Sequence, residues 1–87
     1  MSDDGTTPGE FEALVMSIAT SGMLNLGQIP DPDTHKTAVN LPMAQHSIQM
    51  LSMLREKTRN NLNGREEALL GRFLADLQTR YVALSKS

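Results

Sequence analysis

The sequence predicts an all-α domain of three helices that packs as an oligomer. Apolar residues recur at helical spacing in three segments, and prolines and asparagines separate these segments from one another. Cysteine is absent from the 87 residues, so disulfides, thiolate zinc sites and cysteine nucleophiles are excluded. A chain of this size without such links must obtain its stability from helix packing or from another subunit.

Helix 1 is predicted from about residue 8 to residue 26. Thr7 is well placed as its N-cap, with Pro8 at the first helical position and Glu10 at the third, where it completes a capping box. Gly27 follows the last apolar residue and is expected to end the helix in the left-handed conformation.

Helix 1 is apolar over more than half of its circumference. Its apolar positions are Phe11, Leu14, Val15, Ile18, Gly22 and Leu26, widened by Met16, Ala19 and Met23. A helix with so wide an apolar arc is normally buried from several sides. Because the chain has little else with which to cover it, we expect a second copy to do so, as a homodimer or a higher oligomer. The predicted interface consists of Met16, Ala19, Gly22, Met23, Met43 and Met50.

Residues 27–40 are predicted to form a loop, because Pro30 and Pro32 each remove a backbone donor and favour extended geometry in the preceding residue. A loop of this length is near the upper limit for a segment without its own secondary structure. It could reach either end of helix 1 or a neighbouring subunit. The sequence therefore leaves open the direction of helix 2 and any function of the loop.

Helix 2 is predicted at residues 41–59, with Asn40 as its N-cap and Pro42 in the first turn. Its predicted inner stripe is Ala44, Ser47, Ile48, Leu51 and Leu54, flanked by Met43, Met50 and Met53. Lys57 and Arg59 lie in its last turn, where the helix dipole favours cations.

Helix 3 is predicted at residues 64–84, after a tight break at which Asn60 tolerates the left-handed conformation. Asn63 is expected to cap this helix, with Glu66 completing a reciprocal capping box. The apolar stripe consists of Leu69, Leu70, Phe73, Leu74, Leu77, Tyr81 and Leu84. So short a connection predicts that helices 2 and 3 form an antiparallel hairpin.

Two clusters contain metal-binding residue types, but both favour a structural interpretation. The first cluster is Asp31, Asp33 and His35. Its aspartates are ordinary turn residues beside proline, and it has too few ligands for a closed site. The second cluster is His46, Met50 and Met53. Methionine at helical spacing more often fills a core or an interface than it binds copper.

The charges are unevenly distributed, although the net formal charge is only −2. Residues 1–34 contain six acids and no base, whereas residues 35–87 contain all eight lysines and arginines against four acids. Such asymmetry can indicate an anionic partner. The bases are scattered along helices 2 and 3, however, and the three aromatic residues belong to apolar stripes, so nucleic acid is the second interpretation.

The amino terminus is acidic and polar, unlike a secretory signal. We expect a disordered tail at residues 1–6 and a single helical domain at residues 7–87. The nearly uncharged run at residues 13–24 is shorter than the roughly 20 residues that cross a bilayer. The sequence therefore predicts a cytoplasmic protein that does not enter a membrane.

Four segments match a known family in order and spacing. They are residues 11–19 (FEALVMSIA), 26–32 (LGQIPDP), 56–62 (EKTRNNL) and 77–81 (LQTRY). Together they resemble a family of short bacterial proteins that is catalogued only as a domain of unknown function. The resemblance covers residues 11–84 and implies a bacterial origin and a helical fold, without a reaction. Asn60 stands where that family usually has glycine, and Gln49 stands where it has aspartate, which puts in doubt any role for an acid there.

No catalytic arrangement, cofactor motif or metal site is predicted. The two histidines lie in different segments, the serines have no evident base, and no glycine-rich phosphate loop occurs. We therefore expect a homo-oligomeric structural or protein-interaction module that is not an enzyme. The methionines could instead line a groove for the apolar helix of a different partner protein.

Overall fold

The protein folds into three α-helices in the computed structural model, which describes residues 9–86. The helices are α1 (Glu10–Asn25), α2 (Leu41–Lys57) and α3 (Gly64–Ser85). The prediction of an all-α fold with three helices is confirmed. Within the described range, the one β-type pairing is an isolated antiparallel bridge between Leu26 and Val39. The predicted tail at residues 1–6 lies outside the described residues.

Helix α1 begins two residues later than predicted. Its N-cap is Gly9, whose backbone N–H donates to Oε1 of Glu12 at 2.9 Å. Glu12, and not Glu10, therefore occupies the third helical position, where a carboxylate satisfies a free backbone donor. The predicted capping residues Thr7 and Pro8 lie outside the part of the chain that the structure describes.

Helix α1 ends at the predicted glycine. Gly27 has φ +73°, which confirms the left-handed conformation. Its N–H donates to the carbonyl oxygen of Leu24 at 3.1 Å, and the N–H of Gln28 donates to that of Met23 at 3.0 Å. This pair of hydrogen bonds is a Schellman motif, which satisfies carbonyls that the last helical turn leaves free.

The loop between α1 and α2 folds back to the end of α1. Its tip is a turn in which Oδ1 of Asp31 accepts from the backbone N–H of Asp33 at 2.7 Å. After this turn the chain returns, and the N–H of Asn40 donates to the carbonyl oxygen of Asn25 at 2.7 Å. The start of α2 therefore lies beside the carboxyl end of α1.

The predicted caps of α2 and α3 are confirmed. Oδ1 of Asn40 accepts from the N–H of Met43 at 3.1 Å. Asn63 and Glu66 each accept from the backbone N–H of the other, at 2.8 and 3.0 Å. Helix α2 ends at Lys57, two residues earlier than predicted: the N–H of Arg59 donates to the carbonyl oxygen of Glu56 in a tighter turn, and Asn60 then takes a left-handed conformation with φ +69°.

Helix α3 follows the direction of α1. Near its start, Nε of Arg65 lies 3.1 Å from Oε2 of Glu12, and near its end Nη1 of Arg80 donates to Oε1 of Gln28 at 2.7 Å. Helix α2 begins at the carboxyl end of α1, where Asn40 bonds to Asn25, and its Ser47 then lies beside Gly22, nearer the middle of α1. It therefore runs back along α1.

The core lies where the three helices meet. Its buried apolar residues are Val15, Ala19, Leu26, Ala44, Leu51, Leu70, Leu74 and Leu77. These residues come from the centres of the three predicted apolar stripes, so the stripes are correctly located. No helix among the described residues is long and apolar enough to cross a membrane.

Candidate interaction surface

The wide apolar arc of α1 is divided between the core of the chain and two outer flanks. Ala19 and Gly22, at the centre of the arc, are buried within the single chain. A Cβ atom on Gly22 would lie 3.1 Å from both Cδ atoms of Leu77 and 3.3 Å from Cβ of Ser47. The glycine is therefore needed where all three helices approach closely, and these positions are not available to a second copy.

The first flank of α1 faces α3. Met16 is 43% exposed and lines a shallow groove between the two helices. The other residues that line this groove are Glu12, Arg65, Ala68, Leu69 and Arg72. The floor is apolar at Leu69, whereas charged side chains of both signs form its rim. This groove mixes apolar and charged surface.

The second flank of α1 faces away from α3. Leu14 and Met16 are two residues apart, so their side chains point about 160° apart around the helix. Since Met16 borders α3, Leu14 lies on the opposite side of α1, where it is 47% exposed. Ile18 lies one turn further along this flank and is partly buried against the core.

Helix α2 has an equivalent outer flank. Arg55 lines a polar groove with Leu74 and Gln78 of α3, which identifies the side of α2 that faces α3. Met53 is two residues before Arg55 and therefore points about 160° away from that groove. Met53 is 47% exposed, and Met43 on the same flank is 49% exposed.

The two outer flanks are adjacent, because α1 and α2 are neighbours and both flanks point away from α3. We call the combined surface the methionine face; it consists of Leu14, Ile18, Met43, Met50 and Met53. Three of these five side chains are nearly half exposed, and the other two are partly buried. Exposed apolar side chains that share one side of a molecule are typical of an interaction site.

The match to a protein family covers all three helices. The model of the domain of unknown function DUF1844 matches residues 8–83. The chain belongs to this family. The predicted membership of a family catalogued as a domain of unknown function is thus confirmed, and the DUF1844 description assigns no activity. Comparisons with curated proteins and with solved structures gave no match.

The DUF1844 fold separates the six residues predicted to form one interface. Met43 and Met50 lie on the methionine face. Met16 and Met23, seven residues apart, share the flank of α1 that faces α3. Ala19 and Gly22 are in the core. Leu14 and Met53, which are exposed on the outer flanks, were not part of the predicted interface, because periodicity alone does not tell which edge of an arc a third helix covers.

In the DUF1844 fold the first cluster of metal-binding residue types lies in the loop between α1 and α2, and the second lies on α2. The aspartate and histidine cluster lies in the exposed loop, where the carboxylate of Asp31 accepts backbone hydrogen bonds. His46 is exposed on α2, one turn before Met50. Within residues 9–86 no group of three or more histidine, aspartate or glutamate side chains is arranged to hold a metal ion.

Proposed function

We propose that this chain is a homo-oligomeric structural or protein-interaction module that associates through the methionine face. One observation carries the proposal: Leu14, Met43 and Met53 are each nearly half exposed on the same outer surface of α1 and α2. Covering such a surface with a second copy removes apolar area from water, which favours association. The proposal includes no enzymatic activity and no cofactor.

The small size of the core supports self-association. Eight apolar residues are buried among those described, and they are mostly leucine and alanine with no aromatic side chain. A single core of this size supplies only a few kcal/mol of stability, and natural chains of similar length often gain more from a second subunit. Association through the methionine face would extend the core without changing the packing of the three helices.

The contacts of α3 support the predicted antiparallel hairpin of α2 and α3. Arg65 at the start of α3 contacts the start of α1, and Arg80 near its end contacts Gln28 just beyond α1. A hairpin with α2 running in the opposite direction fits both contacts. In the proposed oligomer α3 packs behind α1 and α2 and leaves the methionine face free for a partner.

Methionine also suits the alternative in which a different protein covers the face. Its unbranched side chain adapts to irregular surfaces, so methionine-rich grooves accept apolar helices of varied sequence. We rank this alternative below self-association because the small core of a single chain favours a second copy of the same chain. The cytoplasmic location and the bacterial origin stay predictions from the sequence.

The nucleic-acid alternative receives less support from the charged side chains. Arg59, Arg65 and Arg80 each form an ion pair with an acid of the same chain, at 2.8, 3.1 and 3.0 Å. Nucleic-acid surfaces usually present a cluster of unpaired bases to the phosphates. Submicromolar, salt-sensitive binding of an oligonucleotide in a gel-shift series would reverse this ranking.

A comparison of two glutamate variants of α2 tests the proposal. Met53→Glu places a carboxylate in the methionine face, whereas Ser52→Glu places one at an exposed position of the same helix that lines the groove facing α3. Light scattering coupled to size exclusion should give at least twice the chain mass of 9.5 kDa for the wild type and Ser52→Glu. Met53→Glu should give the monomer mass with its helical circular dichroism retained, because burying an unpaired carboxylate costs several kcal/mol.

Two results would contradict the proposal. A monomeric wild type at micromolar concentration would exclude self-association as the role of the face. An oligomer that persists in Met53→Glu would place the interface elsewhere on the chain.

A further inference from the structure

We infer that the second copy docks with its twofold axis parallel to the helices, so that Glu10 of each copy pairs with the partner's Lys57. This inference rests on the proposed self-association and adds the arrangement of the two copies. In this dimer α1 of each copy lies over α2 of the other, and the four helices form a bundle around the two methionine faces.

Both charged residues lie at the same end of the methionine face. Glu10 is one turn before Leu14 on α1, and Lys57 is one turn after Met53 on α2, so each extends the row of apolar side chains on its helix. The start of α1 and the end of α2 meet at this end of the molecule because α2 runs back along α1. Both side chains are exposed.

Among residues 9–86, Glu10 and Lys57 form no ion pair with another side chain. The ion pairs among the described residues join Arg59 to Glu56, Arg65 to Glu12 and Arg80 to Asp76. Glu10 and Lys57 take part in none of them and remain available to a partner.

At the other end of the face the two helices carry no formal charge, and they are bordered there by Ser21 and Asn25 on α1 and by Asn40 on α2. The loop adds one acid and one base at this end, because Asp31 and Lys36 line the same cavity as Asn25 and Asn40. The face therefore has one end with an acid on α1 and a base on α2, and one end whose helices are uncharged and whose loop adds charges of both signs. This asymmetry distinguishes between the ways in which two copies can stack.

Two twofold axes can bring the faces of two copies together with the helices aligned. With the axis parallel to the helices, like ends meet and α1 lies over the partner's α2, so Glu10 faces the partner's Lys57 at two symmetric places. With the axis across the helices, opposite ends meet, and Glu10 faces the carboxyl end of the partner's α1, which carries no basic residue. Only the first arrangement pairs Glu10 with Lys57 at two symmetric places, which favours this register over the other.

A charge-reversal mixing experiment tests this arrangement. Glu10→Lys and Lys57→Glu are prepared separately, and one of them is labelled with ¹⁵N so that native mass spectrometry resolves the mixed dimer. Each variant alone has two repulsive pairs, whereas the mixed dimer has two attractive pairs. Because the pair occurs at two symmetric sites, reversing one of its charges should raise the dissociation constant on the order of tenfold.

The expected result is that each single variant dimerises on the order of tenfold more weakly than the wild type, and that mixing restores dimers that are mostly mixed. The matched control is a mixture of Glu67→Lys and Arg72→Glu, two charge reversals on α3 outside the face. This control should exchange subunits in statistical proportion. Both effects should also weaken with added salt.

Failure of the arrangement and failure of the proposed function give different results. Stable homodimers of both variants that mix statistically would overturn the arrangement and leave self-association intact. A monomeric wild type would overturn both. If charge reversal at the first turn of α1 unfolds the chain, Glu10→Gln and Lys57→Gln replace it; unchanged dimer affinity in both would then overturn the pairing.

Discussion

Oε2 of Glu12 lies 3.1 Å from Nε of Arg65, which joins the first turn of α1 to the first turn of α3. The other oxygen of the same carboxylate accepts a hydrogen bond from the backbone N–H of Gly9 at 2.9 Å. Glu12 is buried although it is charged. One side chain therefore both caps α1 and holds it in register with α3, and the two roles can be separated by substitution.

Glu12→Gln and Glu12→Ala should differ in their cost. Glutamine keeps an oxygen that accepts from Gly9 and loses only the charge, and Arg65 is 60% exposed, so the loss should be below about 1 kcal/mol. Alanine also removes the cap, which should cost about 1 kcal/mol more. Urea denaturation measures both values. Equal stability of the two variants would show that the hydrogen bond to Gly9 contributes nothing.

Two glycine-to-alanine substitutions should change stability in opposite directions. At Gly71, in the interior of α3, a Cβ atom has nothing within 4 Å, so alanine should stabilise the helix by about 0.5–1 kcal/mol. At Gly22 the new Cβ would meet Leu77 at 3.1 Å and Ser47 at 3.3 Å. Overpacking of this kind typically costs about 1–3 kcal/mol, more than the gain in helix propensity.

Thermal denaturation of both variants, with the wild type as reference, measures this difference. A Gly22→Ala variant as stable as Gly71→Ala would mean that α1 is not held against Ser47 and Leu77 as closely as the structure places it.

Substitutions of Asn60 should follow the backbone conformation of the turn after α2. Asn60 has φ +69°, a region that glycine adopts freely and β-branched residues avoid. Asn60→Gly should therefore be neutral or slightly stabilising, whereas Asn60→Val should destabilise the fold by about 1–2 kcal/mol. Melting temperatures of the three proteins provide the test. Three equal values would be inconsistent with a left-handed residue at this position.

Met16→Glu should leave the oligomer intact. Met16 lies on the flank of α1 that faces α3, away from the methionine face, and its groove already contains Arg65 and Arg72. A carboxylate there stays partly solvated, and the two guanidinium groups offset its repulsion from Glu12 one turn earlier, so the expected change in stability is within about 1 kcal/mol. Light scattering and circular dichroism check the mass and the fold. Dissociation of this variant would show that the interface lies in the groove between α1 and α3.

The local features of this chain follow from its sequence. The caps at Asn40 and Asn63, the left-handed residues Gly27 and Asn60, and the three helices were all predictable, because each depends on a few neighbouring residues. The start of α1 was not predicted correctly. Glutamates at both residue 10 and residue 12 suit a capping box, and only Glu12 also contacts α3.

The division of the apolar surface was decided by the tertiary structure. Helical periodicity determines which side chains of α1 share an arc, but it does not say which edge of that arc α3 covers. The loop returns to the end of α1, α2 runs back along it, and α3 then packs against the Met16 side. Leu14 and Met53 are left exposed as a result, because contacts between residues far apart in the chain determine burial and no local pattern encodes them.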